Sequence, residues 1–256
     1  MGKLIRLIPS LLIDNNYLVK GENFKNHTYI GDIFNAVKIF SEKNAHEIQI
    51  LDISVRKKNK SIDLNLIKKI RSEIFVPLAV GGGINSIDEA SLLINEGVEK
   101  VILNSAVFDN YNLIDLIAKK FGSQSIVISC DVKKINNNYK LYSNSGIKLE
   151  NIDLKEHLQK IQDAGAGEVM ITSIDKEGTQ KGLDIDLIKE IEKKVDIPII
   201  ASGGVGKFED LIEYFDNFSG SALACGTFFV FYGSRKAVLI NYPDKKRIEN
   251  LMNKYE

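Results

Sequence analysis

The sequence predicts an α/β protein of the (β/α)8 (TIM) barrel class, built from two duplicated half-barrels. Three observations lead to this fold: short apolar strands alternate with longer amphipathic helical patterns, the alternation occurs eight times, and the second half of the chain repeats the first. Such alternation is typical of a parallel sheet covered by helices. Eight units in 256 residues fit the usual length of this barrel. The eight-unit count argues against the alternative, an open doubly wound sheet.

The individual elements follow from composition and periodicity. Helical patterns with one apolar face span Asp63–Ile74 and Asp184–Lys194, and the capping box Ser86–Glu89 predicts the start of another helix. Eight apolar segments rich in β-branched residues are predicted as the buried strands. These segments are Leu4–Ile13, Glu47–Ile53, Pro77–Gly81, Lys100–Asn104, Ser125–Asp131, Glu168–Ser173, Pro198–Ser202 and Ser221–Cys225.

Several motifs recur about 121 residues apart. Val76–Gly83 resembles Ile197–Gly204. The turn sequences Asp14–Tyr17 and Asn136–Tyr139 predict β-hairpins after the first and fifth strands. Because neither half alone would cover the edges of its strands, we predict a single domain over residues 1–256. Its half-barrels are predicted at about 1–121 and 122–243.

Composition excludes several classes of function. Lysine plus arginine number 34 and aspartate plus glutamate number 34, so no global positive field exists to attract nucleic acid or a membrane surface. The apolar run Leu7–Ile13 is too short for a membrane-spanning helix, and no cleavage pattern of a signal peptide follows it. Cys130 and Cys225 lie in apolar runs, which indicates buried thiols in a reducing, cytoplasmic setting.

Glycine runs mark two candidate phosphate cradles at the carboxyl ends of the strands, where this fold class places its active sites. The third and seventh strands end in runs that contain Gly83 and Gly204, and glycine lets backbone N–H groups approach an anion closely. The following strands end in Asn104-Ser105 and Cys225-Gly226, where a short helix would direct its N-terminus at a phosphate. Two matched cradles predict a substrate with a phosphate at each end. One run alone would equally fit a tight turn.

Charged side chains near the same ends are candidates for catalysis and binding. Asp131 ends the fifth apolar strand, where partial burial would raise the pKa of its carboxyl and suit it as a general acid or base. The alternative for Asp131 is a hydrogen bond that anchors the loop. Asp52 ends the second strand in a similar way. Lys20 lies on the returning arm of the first hairpin, from which it would reach over the mouth of the barrel.

The sequence predicts no metal and no cofactor. His27, His46 and His157 have no metal-ligand spacing among themselves or with the cysteines. We interpret all three as structural or surface residues. Neither a dinucleotide-binding fingerprint nor a P-loop occurs in the sequence.

Four charges stand at or near the starts of four strands, at the opposite end of the predicted barrel. They are Arg6, Glu47, Lys100 and Glu168, which could form a closed ring across that end. Taken alone, this pattern is interpreted as an ion-pair network for stability.

The chain resembles the cyclase subunit of imidazole glycerol phosphate synthase, over essentially the whole length to about Phe229. The resemblance is carried by Arg6-Leu7-Ile8-Pro9, Val19-Lys20-Gly21, Leu51-Asp52-Ile53, Val80-Gly81-Gly82-Gly83-Ile84, Phe121-Gly122-Ser123-Gln124, Gly165-Ala166-Gly167-Glu168, Thr172-Ser173-Ile174-Asp175, Gly178-Thr179 and Ala201-Ser202-Gly203-Gly204. It implies a duplicated half-barrel, a bis-phosphorylated substrate, and a glutaminase partner on the N-terminal face that sends ammonia through the barrel.

The resemblance also implies roles for individual residues. Asp131 matches one of two catalytic aspartates of the family. Lys20, Asp52 and Thr172 are expected to bind the substrate. The phosphate-binding set is expected to be Gly83, Asn104, Ser105, Glu177, Gly178, Gly204, Cys225 and Gly226. Glu177 stands where the family usually has aspartate, and Cys225-Gly226 where it usually has alanine and serine. The four-charge ring matches the family's ammonia gate, which reverses its interpretation as a purely stabilising network.

One catalytic position departs from the family. The aspartate at the end of the first strand falls on Leu12, which can neither accept nor donate a proton. Asp14, two residues on, should point to the same side by strand alternation and is a poor substitute. We therefore expect a lyase/cyclase-type subunit of a glutamine amidotransferase in which ammonia delivery persists and the family's cyclisation is lost or changed.

This divided function resembles second-copy paralogues associated with surface polysaccharides, which work with a glutaminase and a separate sugar amidotransferase to build acetamidino groups. The segment Ala237–Pro243 resembles that branch more than the histidine-pathway branch. Three alternatives stay open. They are a true histidine-biosynthesis subunit with a shifted acid, a channel scaffold without chemistry, and the sister barrel isomerase, which needs no ammonia.

Overall fold

The computed structural model describes residues 5–55, 61–220, 222–233 and 235–254. Its strands, in chain order, are β1 (Arg6–Asp14), β2 (Tyr17–Glu22), β3 (Lys25–Asp32), β4 (Ile48–Asp52), β5 (Leu78–Gly81), β6 (Lys100–Leu103), β7 (Ile126–Ile135), β8 (Asn138–Ser143), β9 (Lys148–Leu149), β10 (Glu168–Ser173), β11 (Ile199–Ser202), β12 (Ala222–Cys225), β13 (Phe231–Tyr232) and β14 (Ala237–Val238).

Eight of these strands close into a parallel barrel in the order β1-β4-β5-β6-β7-β10-β11-β12. β12 pairs with β1, so that Arg6 lies beside Ala222, and β7 pairs with β10. The predicted (β/α)8 barrel is thereby confirmed. The half-barrel boundaries stay a prediction.

Helices follow the barrel strands and cover the outside of the barrel. They are α1 (Ile33–Glu42), α2 (Leu64–Glu73), α3 (Ile87–Asn95), α4 (Ser105–Asp109), α5 (Asn112–Phe121), α6 (Leu154–Asp163), α7 (Ile185–Glu192), α8 (Phe208–Asn217), α9 (Thr227–Val230) and α10 (Lys245–Asn253). Several begin at a side chain that accepts a backbone N–H, such as Asp63 before α2 and Asp184 before α7. At α3, Ser86 caps Glu89 as predicted, but the Glu89 carboxylate accepts from the N–H of Asn85.

The core has two layers because the barrel strands are apolar on both faces. The outer layer fills the space between the barrel and the helices, with Leu7, Ile48 and Phe40 among its members. The inner layer fills the middle of the barrel and consists of Ile8, Ala79, Ile102, Val127, Met170, Ile200, Ala222 and Ala224.

Two β-hairpins extend from the barrel, as the turn sequences predict. β1 continues into β2 through Asn15 and Asn16, and β7 into β8 through Asn136 and Asn137; all four asparagines have positive φ angles of 47–67°. Asparagine tolerates this conformation better than most residues.

The bounds of several strands differ from the predictions. β1 and β7 run on to Asp14 and Ile135, because each continues into a hairpin. Ser125 belongs to a short 3-10 turn rather than to β7. Leu4 and Ser221 lie outside the described residues.

Candidate active site

A cavity of about 350 Å³ opens at the carboxyl end of the barrel. Its lining comes from both half-barrels and from both hairpin excursions: Ser10, Leu12, Phe24, Lys25, His27, Leu51, Asp52, Ile53, Gly82, Gly83, Ile84, Ile102, Asn104, Ser129, Asp131, Ser145, Ile147, Met170, Thr172, Glu177 and Ser202. The volume falls within the range of small-molecule sites. The walls combine aliphatic side chains with a small polar group centred on Asp131.

Asp131 is buried and held by two hydrogen bonds. Asn104 Nδ2 donates to its Oδ2 at 2.8 Å, and Ser129 Oγ donates to its Oδ1 at 3.4 Å. Burial raises the pKa of Asp131 to about 7, although both hydrogen bonds act in the opposite direction. A carboxyl that titrates near neutrality can act as a general acid or a general base.

Leu12 lines the same cavity from β1, where it pairs with Val19 on one side and Leu51 on the other. β1 and β7 lie half the barrel circumference apart in the strand order, so Leu12 and Asp131 approach the cavity from opposite walls. Asp14 is not among the lining residues; its carboxylate accepts a hydrogen bond from Asn15 at 2.7 Å. Asp14 therefore lies outside the cavity wall, and the expectation that it is a poor substitute for a carboxylate at position 12 stays a prediction.

The predicted substrate-binding residues occupy different positions around the cavity. Thr172 lines it directly and pairs with Asp131 across β10 and β7. Asp52 also lines it, but its Oδ1 accepts from the N–H and the hydroxyl of Ser54, at 2.8 and 2.7 Å. Lys20 does not extend freely over the mouth: it is buried and its ammonium pairs with Glu177.

The first predicted cradle is formed where β5 and β6 end. Gly83 and Asn104 line the cavity, and α4 begins at Ser105 immediately after β6. Asn104 Oδ1 is buried and has no hydrogen-bond partner among the described residues. The hydroxyl of Ser105 accepts the backbone N–H of Asn144, so it supports the loop between β8 and β9.

The second predicted cradle is formed where β11 and β12 end. Cys225 ends β12, and the short helix α9 starts at the next position after Gly226. A Cβ atom at Gly226 would lie 2.7 Å from the Lys20 ammonium nitrogen, so a larger residue there would require the end of the Lys20 side chain to shift. At Gly204, φ is +104° and a Cβ would lie 2.1 Å from the carbonyl oxygen of Gly182.

Glu177 and Gly178 belong to the loop after β10, which contacts the first hairpin. The Asn23 N–H donates to the Glu177 carbonyl at 2.8 Å, and Asn23 Nδ2 donates to the carbonyls of Ile174 and Asp175. Gly178 packs on the backbone of Gly21. The hairpin therefore crosses the mouth from one half-barrel to the other.

This crossing places residues in the site that the sequence did not indicate. Phe24, Lys25 and His27 line the cavity from the turn and from β3, so His27 is neither a core residue nor a remote surface residue. The interpretation of His27 as a structural or surface residue stays a prediction; its position in the lining follows from the hairpin's direction, which depends on the contacts of Asn23. His157 is a core residue as predicted, stacked on Phe108.

The four charges at the N-terminal end of the barrel form a closed ring. Arg6 contacts Glu47 at 3.1 Å and Glu168 at 2.5 Å, and Lys100 contacts the same two carboxylates at 2.7 and 2.9 Å. Glu47 is 3% exposed, and its Oε1 atom has no hydrogen-bond partner among the described residues.

Between the ring and the cavity lie the inner apolar layer and one amide. Gln49 is 1% exposed, and its Nε2 donates to Ser10 Oγ at 3.3 Å and to Met170 Sδ at 3.2 Å. Glu47, immediately before β4, contacts the ring, whereas Gln49 lies in the middle of the barrel and Leu51 lines the cavity, because alternate residues of an extended chain share one face. The sequence offered no signal for Gln49, since a lone glutamine in an apolar run has many interpretations.

Comparison with known proteins identifies the family. Residues 6–234 match the family described as "Histidine biosynthesis protein". The chain is 40% identical over 245 residues, 95% of this chain and 98% of the relative, to "Putative imidazole glycerol phosphate synthase subunit hisF2" of Pseudomonas aeruginosa. It is 39% identical over 223 residues, 87% of this chain and 89% of the relative, to "Imidazole glycerol phosphate synthase subunit HisF" of Sulfolobus acidocaldarius.

The chain belongs to the HisF-type imidazole glycerol phosphate synthase subunit family. A third relative, the HisF subunit of Chlorobaculum tepidum, is 39% identical over 234 residues, 91% of this chain and 93% of the relative. In this HisF-type subunit, Asp131 and Thr172 line the cavity at the carboxyl end of the barrel, and the charge ring lies at the other end.

The described residues of this HisF-type chain offer neither a cluster of metal ligands nor a membrane-spanning helix. Within the described ranges, no three His, Cys, Asp or Glu side chains converge in a way that could hold a metal ion. No helix in the part of the chain that the structure describes has the length and hydropathy needed to cross a bilayer.

Proposed function

We propose that this chain is the synthase subunit of a glutamine amidotransferase complex and receives ammonia from a HisH-type glutaminase at the N-terminal end of its barrel. The observation that carries the proposal is the ring itself. Arg6, Glu47, Lys100 and Glu168 come from four different strands and close on one another around the barrel axis. A purely stabilising network is a weaker account, because buried ion pairs seldom add net stability over apolar packing.

The ring is chemically suited to admit ammonia. Its two cations and two anions cancel, so it does not favour an ion of either sign. The free Oε1 of Glu47 can accept a hydrogen bond from an N–H of a small neutral molecule. Above the ring, the aliphatic inner layer disfavours ions, and the Gln49 amide offers hydrogen bonds on the way to the cavity.

The cavity is proposed to take a phosphorylated small molecule rather than a nucleic acid or a lipid surface. Gly83, Asn104 and Ser105 would hold one phosphate, and Glu177, Gly178, Gly204, Cys225 and Gly226 would surround the other, with Lys20 supplying positive charge. Asp131, with its pKa near neutrality, is the proton donor or acceptor. Asp52 and Thr172 would contact the substrate between the phosphates. The buried, unpaired thiols of the described residues support a cytoplasmic location.

The finer part of the proposal concerns Leu12. Proton transfer from two opposed carboxylates requires a second acid, and the cavity wall opposite Asp131 carries an aliphatic side chain. We therefore assign the chain to the paralogue branch that supplies ammonia for acetamidino-sugar synthesis, together with a separate sugar amidotransferase.

A second candidate function, that of a true histidine-biosynthesis subunit, is consistent with every site residue named above except Leu12. The charge ring, the buried Asp131 and the positions of the residues in both predicted cradles all fit a histidine-biosynthesis subunit. A channel scaffold without chemistry would leave the raised pKa of Asp131 without a use.

The test is reconstitution with a HisH-type glutaminase. The wild-type chain should raise glutamine hydrolysis by the glutaminase at least tenfold, and complex formation should survive Asp131→Asn. Absence of both a complex and any stimulation would contradict the glutaminase partnership. Turnover of the family's bis-phosphorylated substrate separates the two candidate functions.

A further inference from the structure

A second groove lies on the same face of the barrel, outside its rim. Its volume is about 420 Å³, and it shares no lining residue with the cavity around Asp131. It is lined by Gln180, Gly206, Lys207, Phe208, Phe228, Phe231, Tyr232, Gly233, Leu239, Asn241, Pro243 and Arg247. None of the roles proposed above uses these residues.

The groove exists because the segment that follows the short helix α9 is longer than the segment that follows α4, its counterpart in the predicted first half-barrel. In the first half, α4 ends at Asp109 and α5 begins at Asn112. In the second half, residues 231–244 separate α9 from α10 and form the β13–β14 ribbon and the tail. This insertion contains the segment Ala237–Pro243.

The insertion is fixed in place. Leu239 and Asn241 donate backbone hydrogen bonds to Val230 and Phe229, at 3.0 and 2.9 Å. Tyr242 is buried, stacks on Phe229 with ring centroids 5.2 Å apart, and donates its hydroxyl to the Leu7 carbonyl at 2.9 Å. The groove is therefore preformed, which lowers the entropic cost of binding a ligand.

The charged side chains that line the groove favour the binding of an anion. Lys207 and Arg247 lie in its wall, neither forms an ion pair among the described residues, and no carboxylate belongs to the lining. The guanidinium carbon of Arg247 lies 3.9 Å from the ring centroid of Phe208, which orients its N–H donors. The N–H groups of Gly206 and Lys207, just before α8, already donate to Asp210 at 2.8 and 3.1 Å. The positive charge that would hold the anion therefore comes from the side chains of Lys207 and Arg247.

The other lining residues favour the binding of a planar aromatic ring. Phe208, Phe228, Phe231 and Tyr232 supply aromatic surface, and Tyr232 is 69% exposed. The amides of Gln180 and Asn241 can each donate and accept hydrogen bonds, as a heterocyclic edge requires. We propose that this groove binds an aromatic phosphate of the nucleotide class, with Lys207 and Arg247 on the phosphate and the aromatic side chains on the base.

The test is binding to the isolated full-length chain, with AMP, adenosine and inorganic phosphate as separate probes, followed by calorimetry and by backbone NMR. AMP should bind at least about tenfold more tightly than either adenosine or phosphate, because stacking and charge pairing act together. The amide signals of Gly206 and Gly233 should shift on addition of AMP.

Variants locate the site. Arg247→Met and Phe208→Leu should each weaken AMP binding about tenfold or more, whereas Lys246→Met, one residue away on α10 and outside the groove, should not. Equal affinity for phosphate and AMP, AMP binding that Arg247→Met leaves unchanged, or no shift at Gly206 and Gly233 would each overturn the proposal. The NMR result needs no variant, so a folding defect in a variant leaves the test intact.

Discussion

Leu12 and Asp131 line one cavity from strands that lie half the barrel circumference apart. Opposite the buried carboxyl of Asp131, the wall at Leu12 is aliphatic. Because Leu12 has no ionisable group, it cannot exchange a proton with a ligand on that side of the cavity. Under the proposed function, this pair of residues separates the capacity to receive ammonia from the capacity to cyclise.

Asp131→Asn should stabilise the protein at high pH. The pKa of Asp131 is raised from 3.8 to about 7, so its contribution to stability is full below pH 4 and is lost as pH rises through 7. The asparagine variant does not carry that penalty, and at pH 9 it should gain about 2–4 kcal/mol over the wild type. Urea unfolding of both proteins at pH 5 and pH 9 measures the difference. A gain that does not grow with pH would contradict the raised pKa.

Lys100→Met should destabilise the chain by about 3 kcal/mol, because it leaves the buried Glu47 carboxylate and the partly buried Glu168 carboxylate with Arg6 alone. Lys68→Met is the matched control, since Lys68 and Glu96 form an exposed pair whose loss should cost less than about 1 kcal/mol. Urea unfolding at neutral pH compares the two. Equal losses would show that the ring is no more tightly coupled than a surface pair.

Burial of His157 should make the free energy of unfolding decrease as the pH becomes acidic. Burial, and secondarily Lys160, lowers the pKa of His157 from 6.5 to about 4. Its neutral form is favoured by folding, so this contribution is present above pH 6.5 and is lost as pH falls from 6.5 to 4, by about 3 kcal/mol. His157→Gln should remove this slope. Thermal unfolding across that range, with wild type and variant in parallel, is the measurement; identical slopes would refute the prediction.

The fold was predictable because strand and helix periodicities agree with each other and with the repeat. The eight predicted apolar segments contain the eight barrel strands, and the asparagine-containing turns connect the strands of the two hairpins. The ring was predictable as a set of residues, since Glu47 and Glu168 occupy equivalent positions in the two halves. Its roles, like those of the cradle residues, stay predictions until they are tested.

The rest of the site depends on contacts that no local pattern encodes. His27 enters the cavity because the hairpin crosses the mouth and Asn23 bonds to the loop after β10. Lys20 turns inward to Glu177 instead of reaching over the mouth. Gln49 meets Met170 only when the barrel closes. Each is a long-range contact, and single-residue propensities carry no information about it.

The most direct test of the central claim is turnover of the bis-phosphorylated substrate of imidazole glycerol phosphate synthase, with an ammonium salt as nitrogen source. Leu12→Asp restores a carboxylate opposite Asp131, and Leu12→Asn is the control of the same shape without an acid. The wild type and Leu12→Asn should show negligible turnover, and Leu12→Asp should raise it at least about a hundredfold, within the usual contribution of one acid–base group. Wild-type turnover comparable to that of a HisF subunit from a histidine pathway would contradict the account.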